Sequence, residues 1–173
     1  MDFKEDKERQ LVPVKIWGLI LDPHTSQVVV LLLDPEGERL LPIWIGMMEG
    51  NAIARALEKV KTPRPLTHDL LYDILTTLQV QLTKVIVTEL REQVFYASLY
   101  LKVDEEEIVI DARPSDAIAL AVRAQAPIYC TEEVLKAGED LNALKEKLKR
   151  TSQDPLAQWL TGLHEEDFGK YKM

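Results

Sequence analysis

Cysteine is nearly absent from this chain. Cys130 is the only one in 173 residues, which excludes an internal disulfide and a CxxC metal knuckle; a lone thiol inside a strand is expected to be buried. Long hydrophobic runs are missing too. The longest purely apolar stretch, residues 28–33, has a strand's length, far below the ~20 residues of a membrane helix. Residues 1–10 are charged and acidic rather than basic and then apolar, so no secretory leader is read there. The expectation is a soluble, cytoplasmic protein that stays out of the membrane. Positive charge is scarce: 21 Lys and Arg stand against 29 Asp and Glu, a formal net charge of -8. Proteins that hold nucleic acid by neutralising phosphates show a basic surface instead. The balance weighs against a general nucleic-acid binder more than against a hydrolase whose carboxylates hold metal ions that meet the phosphate. No GxSxG, P-loop, HExxH or phosphate-binding glycine fingerprint occurs.

What is present is an ordinary globular balance, 46% hydrophobic and 29% charged, in a length that suits one domain. Residues 12–21, 28–33 and 39–45 read as strands joined by short turns, and Asp34-Pro35-Glu36-Gly37 has the chemistry of a tight one. An antiparallel meander follows from that layout. A helix is expected over 47–60, with Ala52, Ile53, Ala56, Leu57 and Val60 as its apolar stripe. The prolines of Thr62-Pro63-Arg64-Pro65 end it. A second helix opens at Thr67, a candidate N-cap, and carries Leu70, Leu71, Ile74, Leu75 and Leu78 on one face. Strands at 82–90, 94–103 and 107–112 form a second meander, followed by a helix over 117–124 that is apolar nearly all round and so expected to be deeply buried. Residues 128–130 make a short last strand.

The fold class is therefore α+β: two three-strand meanders, each followed by a helix, with a helical tail. Asn51–Leu57 lines up with Asp116–Val122, each after a meander. An internal duplication and the chance likeness of alanine-rich helices are both open readings. The organisation expected is a disordered arm at 1–10, one domain at 11–137 and a charged helical tail at 138–173.

Three polar clusters begin or precede helices that also carry core residues. In the first, Glu49 falls on the apolar side of its helix, where an unpaired carboxylate is costly; it needs a partner or a metal, unless it only complements the helix dipole. In the second, His68 borders the leucine stripe and Asp69 points away from it. His68 suits general acid–base work or metal ligation, and Arg64 a bidentate grip on phosphate; the structural alternative is a capping segment. In the third, Asp111 and Asp116 flank Arg113 where a strand ends and a helix begins. Two carboxylates can hold Mg²⁺ or Mn²⁺ with waters completing the shell, or Arg113 can simply tie strand to helix.

These stretches carry a resemblance. Leu41-Pro42-Ile43-Trp44-Ile45-Gly46 followed by Glu49, then Pro63-Arg64-Pro65-Leu66-Thr67-His68-Asp69-Leu70-Leu71, Phe95-Tyr96-Ala97 and Asp111-Ala112-Arg113-Pro114-Ser115-Asp116-Ala117-Ile118-Ala119-Leu120 resemble the bifunctional nuclease domain. The likeness runs over residues 12–137. It implies a mixed α/β fold, homo-oligomeric assembly as a dimer or trimer, and degradation of RNA and DNA with little preference. The family supplies no settled catalytic set. At the matched positions the nominated residues are His68, Asp69, Asp111 and Asp116 for chemistry, Arg64 and Arg113 for the phosphate, and Glu49, Asp111 and Asp116 for a metal ion.

Two functions compete. One is a metal-assisted phosphodiesterase acting on nucleic acid. The other is a non-catalytic oligomeric module that binds a small anionic ligand or a protein partner, motivated by the net charge of -8 and the missing nuclease signature. Oligomerisation has its own sequence signal: the first two strands are apolar on both faces, so helices or another subunit must cover the second.

Overall fold

Short turns between strands of strong β propensity dictate that neighbours in sequence pair in space, and they do. The computed structural model describes residues 10–22, 26–36, 39–137 and 139–140; residues 1–9 of the expected arm, Gly37 and, of the expected helical tail, all but the strand pair 139–140 lie outside them. β1 (Leu11–Asp22), β2 (Gln27–Leu33) and β3 (Arg39–Ile45) pair antiparallel in order. So do β4 (Gln81–Arg91), β5 (Val94–Val103) and β6 (Glu106–Ala112). β7 (Ile128–Thr131) joins the triplets, antiparallel to β1 and parallel to β4, and the two-residue β8 (Glu139–Asp140) pairs with β3. The resulting order is β6-β5-β4-β7-β1-β2-β3-β8.

Helices α1 (Met47–Leu57), α2 (Thr67–Thr77) and α3 (Pro114–Ala124) pack around the core that this sheet presents, and the short α4 (Glu132–Leu135) follows β7. α3 is the most deeply placed, with Pro114, Ser115 and every residue from Ala117 to Ala121 buried. It starts three residues earlier than its apolar run suggests, because Pro114 occupies the first helical position, where its fixed φ fits and its missing N–H costs nothing. Arg113 thereby becomes the N-cap residue, and Asp116 falls in the first turn. α1 ends at Leu57, short of Val60, because Lys59 turns left-handed (φ 52°) and the Val60 N–H bonds back to the Arg55 carbonyl at 2.9 Å. In α2 the N-cap is Leu66, not Thr67, and its N–H is taken by the Asp69 carboxylate at 2.9 Å.

Two expectations about burial change. Residues Val28 to Leu32 are buried on both faces of β2 within the single chain, so that pattern does not call for a second subunit. The leucine stripe of α2, read as core, is largely on the surface. No residue of α2 is fully buried, and Leu70, Leu71, Ile74 and Leu78 are 51%, 40%, 45% and 66% exposed. Periodicity reports that a helix is two-faced; it does not report what covers the apolar face. Cys130 is buried as expected, and burial pushes its thiol pKa up to about 12, which makes it a poor nucleophile.

The first meander is locked by a buried carboxylate. Asp34, 2% exposed, accepts the Glu36 N–H at 3.0 Å and the Arg39 guanidinium at 2.7 Å; Arg39 also reaches Glu132 of α4 at 2.6 Å. One arginine thus holds a hairpin closed and fastens it to the element after β7. α1 lies so close to β2 that a Cβ on Gly50 would come within 2.5 Å of the Val28 side chain. Gly50→Ala is expected to cost about 1–3 kcal/mol through overpacking, read as a lower urea midpoint. Adding Val28→Ala should recover part of the loss if the clash is the cause.

Candidate active site

The first turns of three helices meet at one place. Glu49 is in the first turn of α1, His68 in that of α2 and Asp116 in that of α3, with Arg113 just ahead of α3. Their side chains form one connected cluster. His68 Nε2 lies 2.8 Å from Asp116 Oδ1, Arg113 Nε donates to Asp116 Oδ2 at 2.6 Å, and Arg113 Nη1 donates to Glu49 Oε1 at 3.2 Å. Gly46 makes room for this, since a Cβ there would collide with the Glu49 carboxylate. The positive ends of three helix dipoles favour the carboxylates and would favour a bound anion.

Burial by itself raises the pKa of Asp116, but the hydrogen bonds from Arg113 and His68 outweigh it and hold the carboxyl below its usual value. An ionised carboxylate can only accept, so Nε2 of His68 carries the proton in that bond. Nδ1 is then the nitrogen left to take or give a proton, and it has no protein partner among the described residues. An aspartate that fixes the tautomer and orientation of a histidine is the arrangement that acid–base catalysis uses.

The cluster opens into a cleft of about 1150 Å³ between α1, α2, α3 and the β5–β6 pair. One wall is aliphatic, built from Leu71, Leu75, Leu99, Leu101, Ile110 and Leu120. Asp111 lies on the rim, exposed, with no protein partner among the described residues. Arg113 stands between Glu49 and Asp116, and both Asp116 oxygens are engaged. Among the described residues no three His, Cys, Asp or Glu gather as a metal site would require. The carboxylates as arranged do not fit a divalent ion.

Of the seven nominated residues, Glu49, His68, Asp111, Arg113 and Asp116 share this cleft. The other two are elsewhere. Asp69 pairs with Arg123 of α3 at 2.7 Å and lines a separate cleft. Arg64 is exposed, and its guanidinium has no partner among the described residues. Sequence reasoning overlooked Arg123, which braces α2 on α3, and Arg55, which lines the same cleft as the cluster. A signal for Arg55 existed: in the alignment of Asn51–Leu57 with Asp116–Val122 it falls opposite the buried Leu120.

A histidine–aspartate pair and an arginine thus meet at converging helix N-termini, where backbone N–H groups favour negative charge. Residues 30–141 match the Bifunctional nuclease domain, and the chain belongs to that family. It is 43% identical over 122 residues to an uncharacterized protein of Mycobacterium tuberculosis, covering 70% of this chain and 73% of that one. Bifunctional nuclease 2 of Arabidopsis thaliana is 32% identical over 109 residues, 61% of this chain and 32% of the plant protein. Bifunctional nuclease 1 of Oryza sativa subsp. japonica is 30% identical over 115 residues, 65% of this chain and 34% of the rice protein. The chain thus spans about a third of the length of these plant relatives. No helix among the described residues is long and apolar enough to cross a membrane.

Because its partners lower the Asp116 pKa, the stabilisation they give is complete above the ordinary carboxylate value of about 3.9 and is lost as pH falls through the lowered one. Asp116→Asn is expected to cost about 1 kcal/mol at pH 7, given partial exposure. Urea midpoints at neutral pH and below about pH 4 should converge between wild type and variant as the medium is acidified.

Proposed function

We propose that the cleft hydrolyses phosphodiester bonds of both RNA and DNA. The observation that carries this reading is the His68–Asp116 pair, 2.8 Å apart, with Nδ1 of the imidazole left over. One site serving both polymers needs water as its nucleophile, because DNA has no 2′-hydroxyl to attack its own phosphate. In this reading His68 Nδ1 takes a proton from that water as its oxygen bonds to phosphorus, and the sugar oxygen, leaving in line on the far side as the other P–O bond breaks, takes its proton from solvent. Arg113 keeps Nε on Asp116 and Nη1 on Glu49; its Nη2 then faces a non-bridging oxygen where negative charge grows. Asp111 on the rim orients the water. Asp69 and Arg64 have no step in this scheme.

A second reading draws on the same cluster. Every charge of the Glu49–Arg113–Asp116–His68 set is satisfied internally, as in a clasp that shapes a non-catalytic pocket for an anionic ligand or protein partner. Cleavage of labelled single-stranded RNA and DNA separates the two, run with Mg²⁺, with Mn²⁺ and with chelator. The nuclease reading expects both polymers to be cut, and His68→Gln and Asp116→Asn to lose roughly 10²–10⁴-fold in rate. Equal cleavage by the variants would take the chemistry away from His68 and Asp116, and none by wild type would favour the clasp. The metal arms decide whether Mg²⁺ or Mn²⁺ takes part.

We also propose that the exposed stripe of α2 joins copies of the chain as a dimer or trimer. Leu70→Glu/Ile74→Glu should then shift light scattering at micromolar concentration from oligomer to monomer. A wild-type monomer would refute the interface.

A further inference from the structure

On the far side of Arg55 lies a second cleft, of about 660 Å³, and its charge is opposite to that of the protein as a whole. Arg55, Lys59, Lys61 and Arg123 line it against only Asp69 and Asp73, in a chain of net charge -8. Arg123 is committed to Asp69. Lys59 and Lys61 are exposed and have no ion-pair partner among the described residues. Arg55 and Leu66 line both clefts, so the basic groove continues from the cluster's cleft rather than standing apart from it. The Arg55 Nε is buried with no hydrogen-bond partner, an unmet donor of the kind that calls for a ligand or a bound water. The ring of Tyr72, half-buried, lines the same groove.

Unpaired cations beside an aromatic ring are what single-stranded nucleic acid requires, cations for successive phosphates and a ring for a base to stack on. The aliphatic wall of the neighbouring cleft adds to this, because an unstacked base buries apolar faces there and a base held inside a duplex cannot. Arg55 lies six residues beyond Glu49 on α1, about 9 Å further along the helix axis, so a phosphate at Arg55 is displaced from one at Arg113. We propose that Arg55, Lys59, Lys61 and Tyr72 form a track that holds the backbone of a single-stranded polynucleotide leading out of the candidate active site. The proposal rests on the reading that this site acts on phosphodiesters, and extends it to the segment of strand beyond the reacting bond.

The test is equilibrium binding, without turnover, of a labelled phosphorothioate oligothymidylate about twelve nucleotides long, whose linkages keep the backbone charge but resist hydrolysis, to wild type, Lys59→Gln/Lys61→Gln and Arg55→Gln. Both lysines are exposed, and glutamine already occupies left-handed helix ends like that of Lys59 at Gln79 and Gln125, so the double variant should keep the wild-type unfolding midpoint. It is expected to bind roughly tenfold more weakly at moderate salt, with a plot of log K against log salt less steep by about 1.4, two contacts at ~0.7 each. A duplex of the same length should bind wild type more weakly than the single strand. Equal affinity and equal salt slope in wild type and the double variant would overturn the track, as would no binding by wild type. Since nothing is cleaved in this assay, its result is independent of the chemistry. A wild type that binds with the expected slope yet cuts nothing keeps the track and loses the hydrolase.

Discussion

Four residues hold the molecule together. β7 is the only strand among the described residues that touches both meanders, antiparallel to β1 through Leu11 to Val14 and parallel to β4 through Val85 to Val87. Remove that pairing and the sheet parts in two, β6-β5-β4 on one side and β1-β2-β3 with the two-residue β8 on the other. Its last residue extends the bond network on both sides: the Thr131 hydroxyl donates to the Thr88 carbonyl at 3.0 Å and accepts the Val134 N–H at 3.3 Å. Glu132, next in line, takes Arg39 from the first meander. Because the strands are joined this way, α1 and α3, which follow the two meanders, come to lie where Glu49 and Arg113 can meet.

Much of this was legible in the residues, and for definable reasons. The strands of both meanders fall within a residue of where β-branched runs and polar turns put them, since short connections leave little choice of partner. α4 and β8 were not foreseen, because four-residue and two-residue elements carry no periodicity. The start of α3 was placed late, since an apolar run marks a helix's buried length and Pro114 with Ser115 lies ahead of it. Five of the seven nominated polar residues converge in one cleft. Asp69 differs for a reason its position already contained: it points away from the leucine stripe that His68 borders, and there Arg123 pairs with it. No local pattern marks Arg123, because its partner lies 54 residues away.

The charge distribution separates two kinds of arginine. Arg39, Arg113 and Arg123 are each bound to carboxylates and act as fasteners between elements. Carboxylates raise the pKa of Arg39, with Glu132 the larger influence and Asp34 the smaller. Asp116 does the same for Arg113, helped by Glu49. Arg55 and Arg64 belong to the other kind, with no carboxylate to answer them among the described residues. In a protein this acidic, unpaired cations that gather in one place are the informative ones, as Arg55, Lys59 and Lys61 do in one groove.

The clasp of Glu49, His68, Arg113 and Asp116 has a consequence for how the protein fails. Its members come from three helices that flank two meanders, and none of its bonds lies within a single meander. No partly assembled chain with one meander formed can contain it. The His68–Asp116 pair asks only for α2 and α3, while the Glu49–Arg113 bond asks for both halves of the sheet. A lesion at β7 or at the Arg39 fastener, far from the cleft, therefore reaches it through α1, by way of the Glu49–Arg113 bond.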